Sequence, residues 1–313
     1  MTPRYLTLAA LLMGTALRGQ VECFAGVPHM AQAQACPRCA VITGGTKGIG
    51  YGIAQALGQD GYSLFLTYKG DEANAKRARD DLKSSLGVPV ELVQADLSDA
   101  ESSDACVASL RSLLSSAQEG EGGEAGETDA ASPLHVLVHN AGEYMAGVQQ
   151  QGPLSAPDLD MYDRYQSLYP KAFVRLVEGL GTLMPDGRGR IVVISAQGIE
   201  KASAKLSSSY LLPGQAKSTM SHLAKMYATA MLPRRITVNL VVPGFTDTPA
   251  ARQGRDTPEE WQKLDEYVAK SSPSGGWVQP SDIGTVVSFL VSDGAALVTG
   301  AVVPVDGGLH LSF

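Results

Sequence analysis

Residues 41–50 read Val-Ile-Thr-Gly-Gly-Thr-Lys-Gly-Ile-Gly, an apolar run that passes through a glycine-rich turn into a helical segment. Gly44 allows a tight turn, and Gly48 and Gly50 let a phosphate group and neighbouring backbone come close. The N–H groups at the start of such a helix favour a pyrophosphate. This context predicts a nucleotide site after the first strand, with seven candidate binding residues: Thr43, Gly44, Thr46, Lys47, Gly48, Ile49 and Gly50.

The rest of the chain alternates short apolar runs with amphipathic segments. The apolar runs are rich in Val, Ile and Leu without strict alternation, as strands buried on both faces require. This order predicts an α/β fold: a single doubly wound, Rossmann-type domain with a parallel seven-stranded sheet and ligands at the carboxyl ends of the strands. The predicted strands are 40–43, 63–67, 90–94, 134–140, 191–195, 236–241 and 301–305. The predicted helices include 50–59, 71–86, 161–183 and 214–231.

Two segments depart from this pattern. Residues 1–35 combine Arg4, a short apolar run and small residues, which are features of a secretory signal. Phe24, in a stretch without acidic residues, resembles the start of a transit peptide in the bipartite leaders of algae with secondary plastids. We therefore expect a targeting segment and a plastid location, with secretion as the alternative. Residues 115–132 contain no Leu, Ile, Val or aromatic residue, which predicts a disordered insertion in a domain that spans 36–313.

The composition argues against several classes of protein. The 313 residues carry a net charge of -7 and no basic stripe, so we expect no nucleic-acid partner. The one apolar run of the leader is too short to span a bilayer, and we expect no membrane span in the mature chain. The four cysteines include a single Cys-x-x-Cys at 36–39 without the second pair of a structural zinc site, and the five histidines are scattered. We expect no metal.

Five motifs, in order, resemble those of the short-chain dehydrogenase/reductase family. Residues 43–50 resemble its TGxxxGxG motif, the Asn-Ala-Gly at 140–142 resembles its motif after the fourth strand, and 305–308 resemble its C-terminal strand signature. The resemblance covers residues 40–309 and implies an oxidoreductase with a nicotinamide cofactor, assembled as a homodimer or homotetramer. It also implies cofactor contacts by Asp96, Leu97, Asn140, Ala141, Gly142, Pro243, Gly244, Thr246 and Thr248.

Two lysines favour NADP(H) as that cofactor. An acidic residue at the end of the second strand would bind a ribose 2'-hydroxyl and repel a 2'-phosphate. Here that strand ends in Thr67-Tyr68-Lys69, and Lys47 lies inside the glycine turn. Two cations and no carboxylate at this point predict NADP(H), with Lys69 among the cofactor-binding residues.

The catalytic residues of the family are only partly present. The family uses Asn, Ser, Tyr and Lys, the last two spaced as Tyr-x3-Lys on one helix, where Lys lowers the pKa of Tyr and also binds the cofactor. Lys217 is recognisable, but Pro213, Tyr169 and Ala196 stand where Tyr, Asn and Ser are expected.

A second spacing resembles that of the enoyl-acyl-carrier-protein reductases in the same superfamily. Tyr210 and Lys217 form a Tyr-x6-Lys pair, and Ser195 begins a similar Ser-x-x-Gly. This resemblance implies catalysis by Tyr210, Lys217 and Ser195, with hydride transfer to a conjugated C=C of an enoyl thioester, free or bound to acyl carrier protein. Two alternatives stay open. One is a 3-oxoacyl or other carbonyl reductase in which Ser195, Ser208 or Ser209 replaces the missing serine, and the other is an inactive nucleotide-binding protein.

Overall fold

The computed structural model describes residues 38–119, 133–143, 159–197, 211–252 and 257–311. The predicted targeting segment, Ser208, Ser209 and Tyr210 lie outside these ranges. Within them, no helix has both the length and the apolar character needed to cross a membrane.

The seven strands of the described residues form one sheet in which all neighbouring strands are parallel. Their order, β3-β2-β1-β4-β5-β6-β7, is that of a doubly wound Rossmann-type sheet and confirms the predicted fold class. Each strand lies within two residues of the predicted run. The strands are β1 Cys39–Ile42, β2 Ser63–Tyr68, β3 Val90–Gln94, β4 Leu134–His139, β5 Arg190–Ile194, β6 Thr237–Pro243 and β7 Val302–Val305.

Helices cover both faces of this sheet. Cys39 and Val41 of β1 join a buried cluster with residues of α3, α5 and α6, whereas Ala40 and Ile42 join a second cluster with residues of α1 and α9. Burial on both faces explains why the strand sequences lack strict alternation. The helices are α1 Gly48–Gln59, α2 Glu72–Leu86, α3 Ala100–Glu119, α4 Leu159–Gln166, α5 Ala172–Leu180, α6 Leu211–Ala230, α7 Pro249–Arg252, α8 Pro258–Ser271 and α9 Pro280–Val291.

The predicted helix over 161–183 is present, but it is not a regular α-helix throughout. A π-helical segment, Ser167–Lys171, separates α4 from α5 and contains Pro170. Proline has no N–H to donate to the carbonyl four residues earlier, so the regular hydrogen-bond ladder is interrupted there. Such π segments are frequent at functional sites, and this one carries Tyr169.

The predicted insertion begins later than expected. Helix α3 continues through Glu119, so a disordered segment starting at residue 115 is wrong for its first five residues. The hydroxyls of Ser115 and Ser116 donate to the carbonyls of Arg111 and Ser112 one turn earlier, and Ala117 favours a helix. Residues 120–132 lie outside the described residues.

Helix α6 begins at Leu211, three residues before the predicted start. Pro213 therefore lies in its first turn, where backbone N–H groups have no intrahelical acceptor and proline is tolerated. Residue 210 immediately precedes this helix.

Candidate active site and cofactor cleft

A cleft of about 660 Å³ opens beyond the carboxyl ends of β1 to β4. This is the edge at which ligands bind in doubly wound folds. Most of the cofactor residues predicted in the first half of the chain line this cleft. They are Gly44, Thr46, Lys47, Lys69, Asp96, Leu97, Ala141 and Gly142.

The glycine turn is held in place by side chains of β1 and the segment after β4. The Thr43 hydroxyl accepts hydrogen bonds from the N–H groups of Asn140 and Ala141, at 3.0 and 2.9 Å. The Asn140 amide donates to the carbonyls of Thr43 and Gly44, at 3.0 and 3.2 Å. Gly44 has a φ of 64°, in the left-handed region that favours glycine. Thr43 and Asn140 therefore fix the turn that borders the cleft.

The start of α1 has the features of a pyrophosphate site. Lys47 occupies the N-cap position without a side-chain hydrogen bond to the first turn, which leaves the leading N–H groups directed toward a ligand. A Cβ added at Gly50 would lie 2.1 Å from the carbonyl oxygen of Gly44, so only glycine lets the helix approach the turn this closely. These residues fit the phosphates of a dinucleotide.

The segment after β6 approaches the glycine turn from the other side. The Gly244 N–H donates to the carbonyl of Val305, and the Thr246 hydroxyl donates to the Gly244 carbonyl at 3.0 Å. The Thr248 hydroxyl accepts from the Ala251 N–H at 3.2 Å, and its methyl group would lie 3.3 Å from a Cβ placed on Gly48. The fold thus brings together two motifs that are about two hundred residues apart in the sequence. That Pro243, Gly244, Thr246 and Thr248 contact the cofactor stays a prediction.

An aromatic and charged cluster anchors α7 and α8 beside this segment. The Arg252 guanidinium lies between the rings of Trp261 and Trp277, 4.8 and 5.1 Å from their centroids. It also donates to both carboxylate oxygens of Asp247, at 2.7 and 3.0 Å. Since planar guanidinium groups stack well on aromatic rings, this cluster ties α8 to the end of the 243–248 segment.

Four charged side chains form a cluster inside the cofactor cleft. Lys69 pairs with Asp96 at 3.0 Å and with Glu143, and Arg164 of α4 donates to both carboxylate oxygens of Glu143, at 2.8 and 2.6 Å. Partial burial alone would raise the pKa of Asp96, but hydrogen bonds from Ser98 and the ion pair with Lys69 lower it to about 2. Burial likewise opposes the lowering of the Glu143 pKa by Arg164 and Lys69. Both carboxylates are therefore ionised at neutral pH.

Glu143 and Arg164 are two site residues that were not predicted from the sequence. Glu143 directly follows the Asn-Ala-Gly motif, and that position next to a predicted cofactor loop is the only sequence signal for it. No sequence signal indicates Arg164, because its ion pair with Glu143 depends on how α4 lies against the end of β4.

Lys217 lies where α6 passes the ends of β5 and the π segment. Its ammonium donates to the carbonyl of Ser195 at 3.4 Å and lies 5.0 Å from the centroid of the Tyr169 ring. Loss of hydration lowers the pKa of Lys217 to about 8. Tyr169, at the position of the family's Asn, is buried and its hydroxyl lies 3.4 Å from the N–H and carbonyl of Glu143. The ring thus supports Lys217 by a cation–π contact.

Ser195 contributes to this site through its main chain. Its hydroxyl is buried and lies 2.8 Å from the hydroxyl of Ser221 on α6. That contact connects β5 with α6, and the catalytic role of the Ser195 hydroxyl stays a prediction. Tyr210, the other predicted catalytic residue, lies outside the described residues, so its role stays a prediction.

The lowered pKa of Lys217 predicts how stability depends on pH. Its ordinary pKa is 10.5, so between about pH 8 and 10.5 the unfolded chain binds more protons at this position than the folded chain. Stability therefore rises with pH across this window. Compared with Lys217→Met, the native protein is expected to gain free energy of unfolding from pH 8 to 10.5, measured by urea denaturation. If the difference in free energy of unfolding between the two proteins were constant from pH 8 to 10.5, the lowered pKa of Lys217 would be contradicted.

Comparisons with known proteins agree with this geometry. The sequence profile of the family described as "short chain dehydrogenase" matches residues 38–119, and that described as "Enoyl-(Acyl carrier protein) reductase" matches residues 125–310. The chain belongs to the short-chain dehydrogenase/reductase family. This confirms the family predicted from the motifs.

Relatives within the family cover nearly the whole domain. A "Putative ketoacyl reductase" of Streptomyces coelicolor is 30% identical over 283 residues, which are 86% of this chain and 96% of the relative. An "NADPH-dependent aldehyde reductase-like protein, chloroplastic" of Arabidopsis thaliana is 27% identical over 285 residues, 87% of this chain and 93% of the relative.

Among solved structures, the angucycline C-6 ketoreductase LanV with bound NADP superimposes with a TM-score of 0.72 at 29% identity. The match covers 88% of this chain and 96% of LanV. Together with the lysine-bearing cleft, it confirms the predicted cofactor: this family member is an NADP(H)-dependent oxidoreductase. The alternative of an inactive nucleotide-binding protein is thereby set aside.

Proposed function

We propose that the protein transfers hydride from NADPH to the keto carbon of a 3-oxoacyl thioester or a chemically similar ketone. The observation that carries the proposal is the position of Lys217, with its ammonium at the Ser195 carbonyl and over the Tyr169 ring. The ketoacyl reductase and the ketoreductase among the similar proteins support a carbonyl as the group that is reduced.

The chain's own residues supply the proton and the electrostatic environment. The bound cofactor supplies the hydride, so the C=O bond becomes a C–H and an O–H bond and one proton must reach the oxygen. We assign that proton to Tyr210, which immediately precedes α6 and is seven residues before Lys217, about two helical turns. The Lys217 ammonium stabilises the tyrosinate that remains.

Reduction of a conjugated C=C is the second candidate, and one observation favours it. Tyr210 and Lys217 keep the Tyr-x6-Lys spacing, and the profile matched by residues 125–310 is described as an enoyl reductase. Hydride would then add to the β-carbon, and the Tyr210 hydroxyl would donate a hydrogen bond to the enolate oxygen of the thioester.

Steady-state turnover with two thioesters tests the proposal. The full chain is mixed with NADPH and either acetoacetyl or crotonyl thioester, and the loss of NADPH absorbance is followed. We expect turnover on acetoacetyl thioester and a fall of about 10²-fold or more in Tyr210→Phe, the lower end of what a positioned acid contributes. Tyr62→Phe is the matched control, because Tyr62 lies at the amino-terminal end of β2, away from the cleft, and its ring packs against the Arg38 guanidinium. Turnover on crotonyl thioester alone would contradict carbonyl reduction.

The proposal extends to the cellular setting of the reaction. The leader-like composition of residues 1–35 and the chloroplastic relative support a plastid location. The description of the matched profile supports a substrate carried by acyl carrier protein. Assembly as a homodimer or homotetramer stays a prediction.

A further inference from the structure

Two cations of the cofactor cleft, Lys69 and Arg164, are already bound by a carboxylate. Glu143 accepts from the Nε and Nη2 of Arg164 and pairs with the ammonium of Lys69. It is the least exposed member of the cluster, with 18% of its side chain accessible, against 30% for Arg164 and 50% for Lys69. All three residues line the cleft.

The Glu143 carboxylate uses the donors that a phosphate group would use. A guanidinium presents a planar fork that binds carboxylate and phosphate oxygens in the same two-bond geometry. In this cleft the Arg164 guanidinium and the Lys69 ammonium both contact the Glu143 carboxylate. The cluster of Lys69, Arg164, Asp96 and Glu143 is neutral overall, so it offers no net attraction to a phosphate dianion.

We propose that Glu143 is an internal competitor for the 2'-phosphate of NADP(H), and that Lys69 and Arg164 exchange its carboxylate for that phosphate when the cofactor binds. Glu143 thereby sets the affinity for NADP(H) and limits the preference over NAD(H). The inference rests on NADP(H) being the cofactor and is independent of which substrate is reduced.

Arg164 has a defined part in this exchange. It lies on α4, a different element from the glycine turn and the end of β2, which carry Lys47 and Lys69. Its Nη2 is 3.7 Å from Asp96, so this contact remains when Glu143 is removed. Arg164 would then bind the phosphate while Asp96 keeps the guanidinium in the cleft.

Two nucleotides that differ mainly in the 2'-phosphate test the exchange without any substrate. Adenosine 2',5'-bisphosphate and adenosine 5'-monophosphate are titrated into the full chain, and dissociation constants are measured by calorimetry. Glu143→Gln removes one negative charge beside the phosphate and keeps the shape of the side chain. At effective dielectric constants typical of protein surfaces, we expect it to bind the bisphosphate about tenfold more tightly and the monophosphate within about twofold of the native chain.

Further variants make the result specific. Glu91→Gln removes a carboxylate that pairs with Lys83, outside the cleft, and is expected to change neither constant. Arg164→Gln is expected to weaken the bisphosphate about tenfold and to spare the monophosphate. Glu143→Ala, with its fold checked by thermal unfolding, repeats the test without an amide that could bind the phosphate.

Three results would overturn the proposal. They are an unchanged bisphosphate affinity in both Glu143 variants, an equal gain for both nucleotides, and a loss in Glu143→Gln as large as in Arg164→Gln. The last would make Glu143 a residue that positions Arg164. None of these results bears on turnover with thioesters, so this inference and the proposed function fail separately.

Discussion

Lys217→Ala is expected to lower kcat about 10³-fold while the protein stays folded. The ammonium lies at the Ser195 carbonyl and over the Tyr169 ring. In the reaction that we propose, its charge stabilises the deprotonated form of the acid. Its removal takes away both that charge and the cofactor contact implied by the family. Correctly placed acid–base groups contribute about 10²- to 10⁴-fold, and the expected loss lies within that range. The measurement is single-turnover oxidation of NADPH with saturating substrate.

Two control variants separate charge from packing. Lys225→Ala changes a lysine on the same helix, eight residues beyond Lys217, and it is expected to leave kcat within about twofold of the native value. Lys217→Arg keeps the charge and is expected to recover part of the activity. A native rate in Lys217→Ala would remove the basis for assigning catalysis to this site.

Gly50→Ala is expected to abolish tight cofactor binding and to destabilise the fold by about 2 kcal/mol, a typical cost of overpacking. The new Cβ would lie 2.1 Å from the Gly44 carbonyl oxygen and 2.6 Å from the Asn140 amide nitrogen. The first of these atoms is backbone, so the glycine turn itself must shift, and with it the N–H groups that face the phosphates. The expected results are an NADPH affinity at least about tenfold weaker by calorimetry and a lower midpoint in urea.

A second glycine gives the matched control for this effect. Gly276 follows α8, and a Cβ built there meets no described atom within 4 Å. Gly276→Ala is therefore expected to keep both cofactor affinity and stability. Equal losses in the two variants would show that the close approach of Gly50 to the turn is not the cause.

The sequence was sufficient for the fold because its signals are local. A buried parallel strand needs a short apolar run, and the turn at Gly44–Gly50 needs glycines at fixed spacing, so both can be read without knowledge of distant contacts. The interruption at Pro170 was missed because the apolar periodicity continues through it, although proline removes the N–H on which a regular helix depends.

The site was predicted less completely, because its charged contacts join distant parts of the chain. Lys69 was predicted to bind the phosphate of the cofactor. In the structure it pairs with Glu143, which is 74 residues further along the chain. The contact of Lys217 with the Tyr169 ring depends on the π segment, which sequence periodicity did not reveal. The hydroxyl of Ser195 bonds to Ser221, a pairing that no motif spacing indicates.

The most direct test of the proposed reaction is to find which of two thioesters receives the hydride. The full chain is incubated with NADPH deuterated at the transferred position and an equimolar mixture of acetoacetyl and crotonyl thioesters, and the products are analysed by mass spectrometry. We expect deuterium at C3 of a 3-hydroxybutyryl thioester and none in butyryl thioester. Deuterium found only at the β-carbon of butyryl thioester would contradict carbonyl reduction and assign the site to conjugated double bonds.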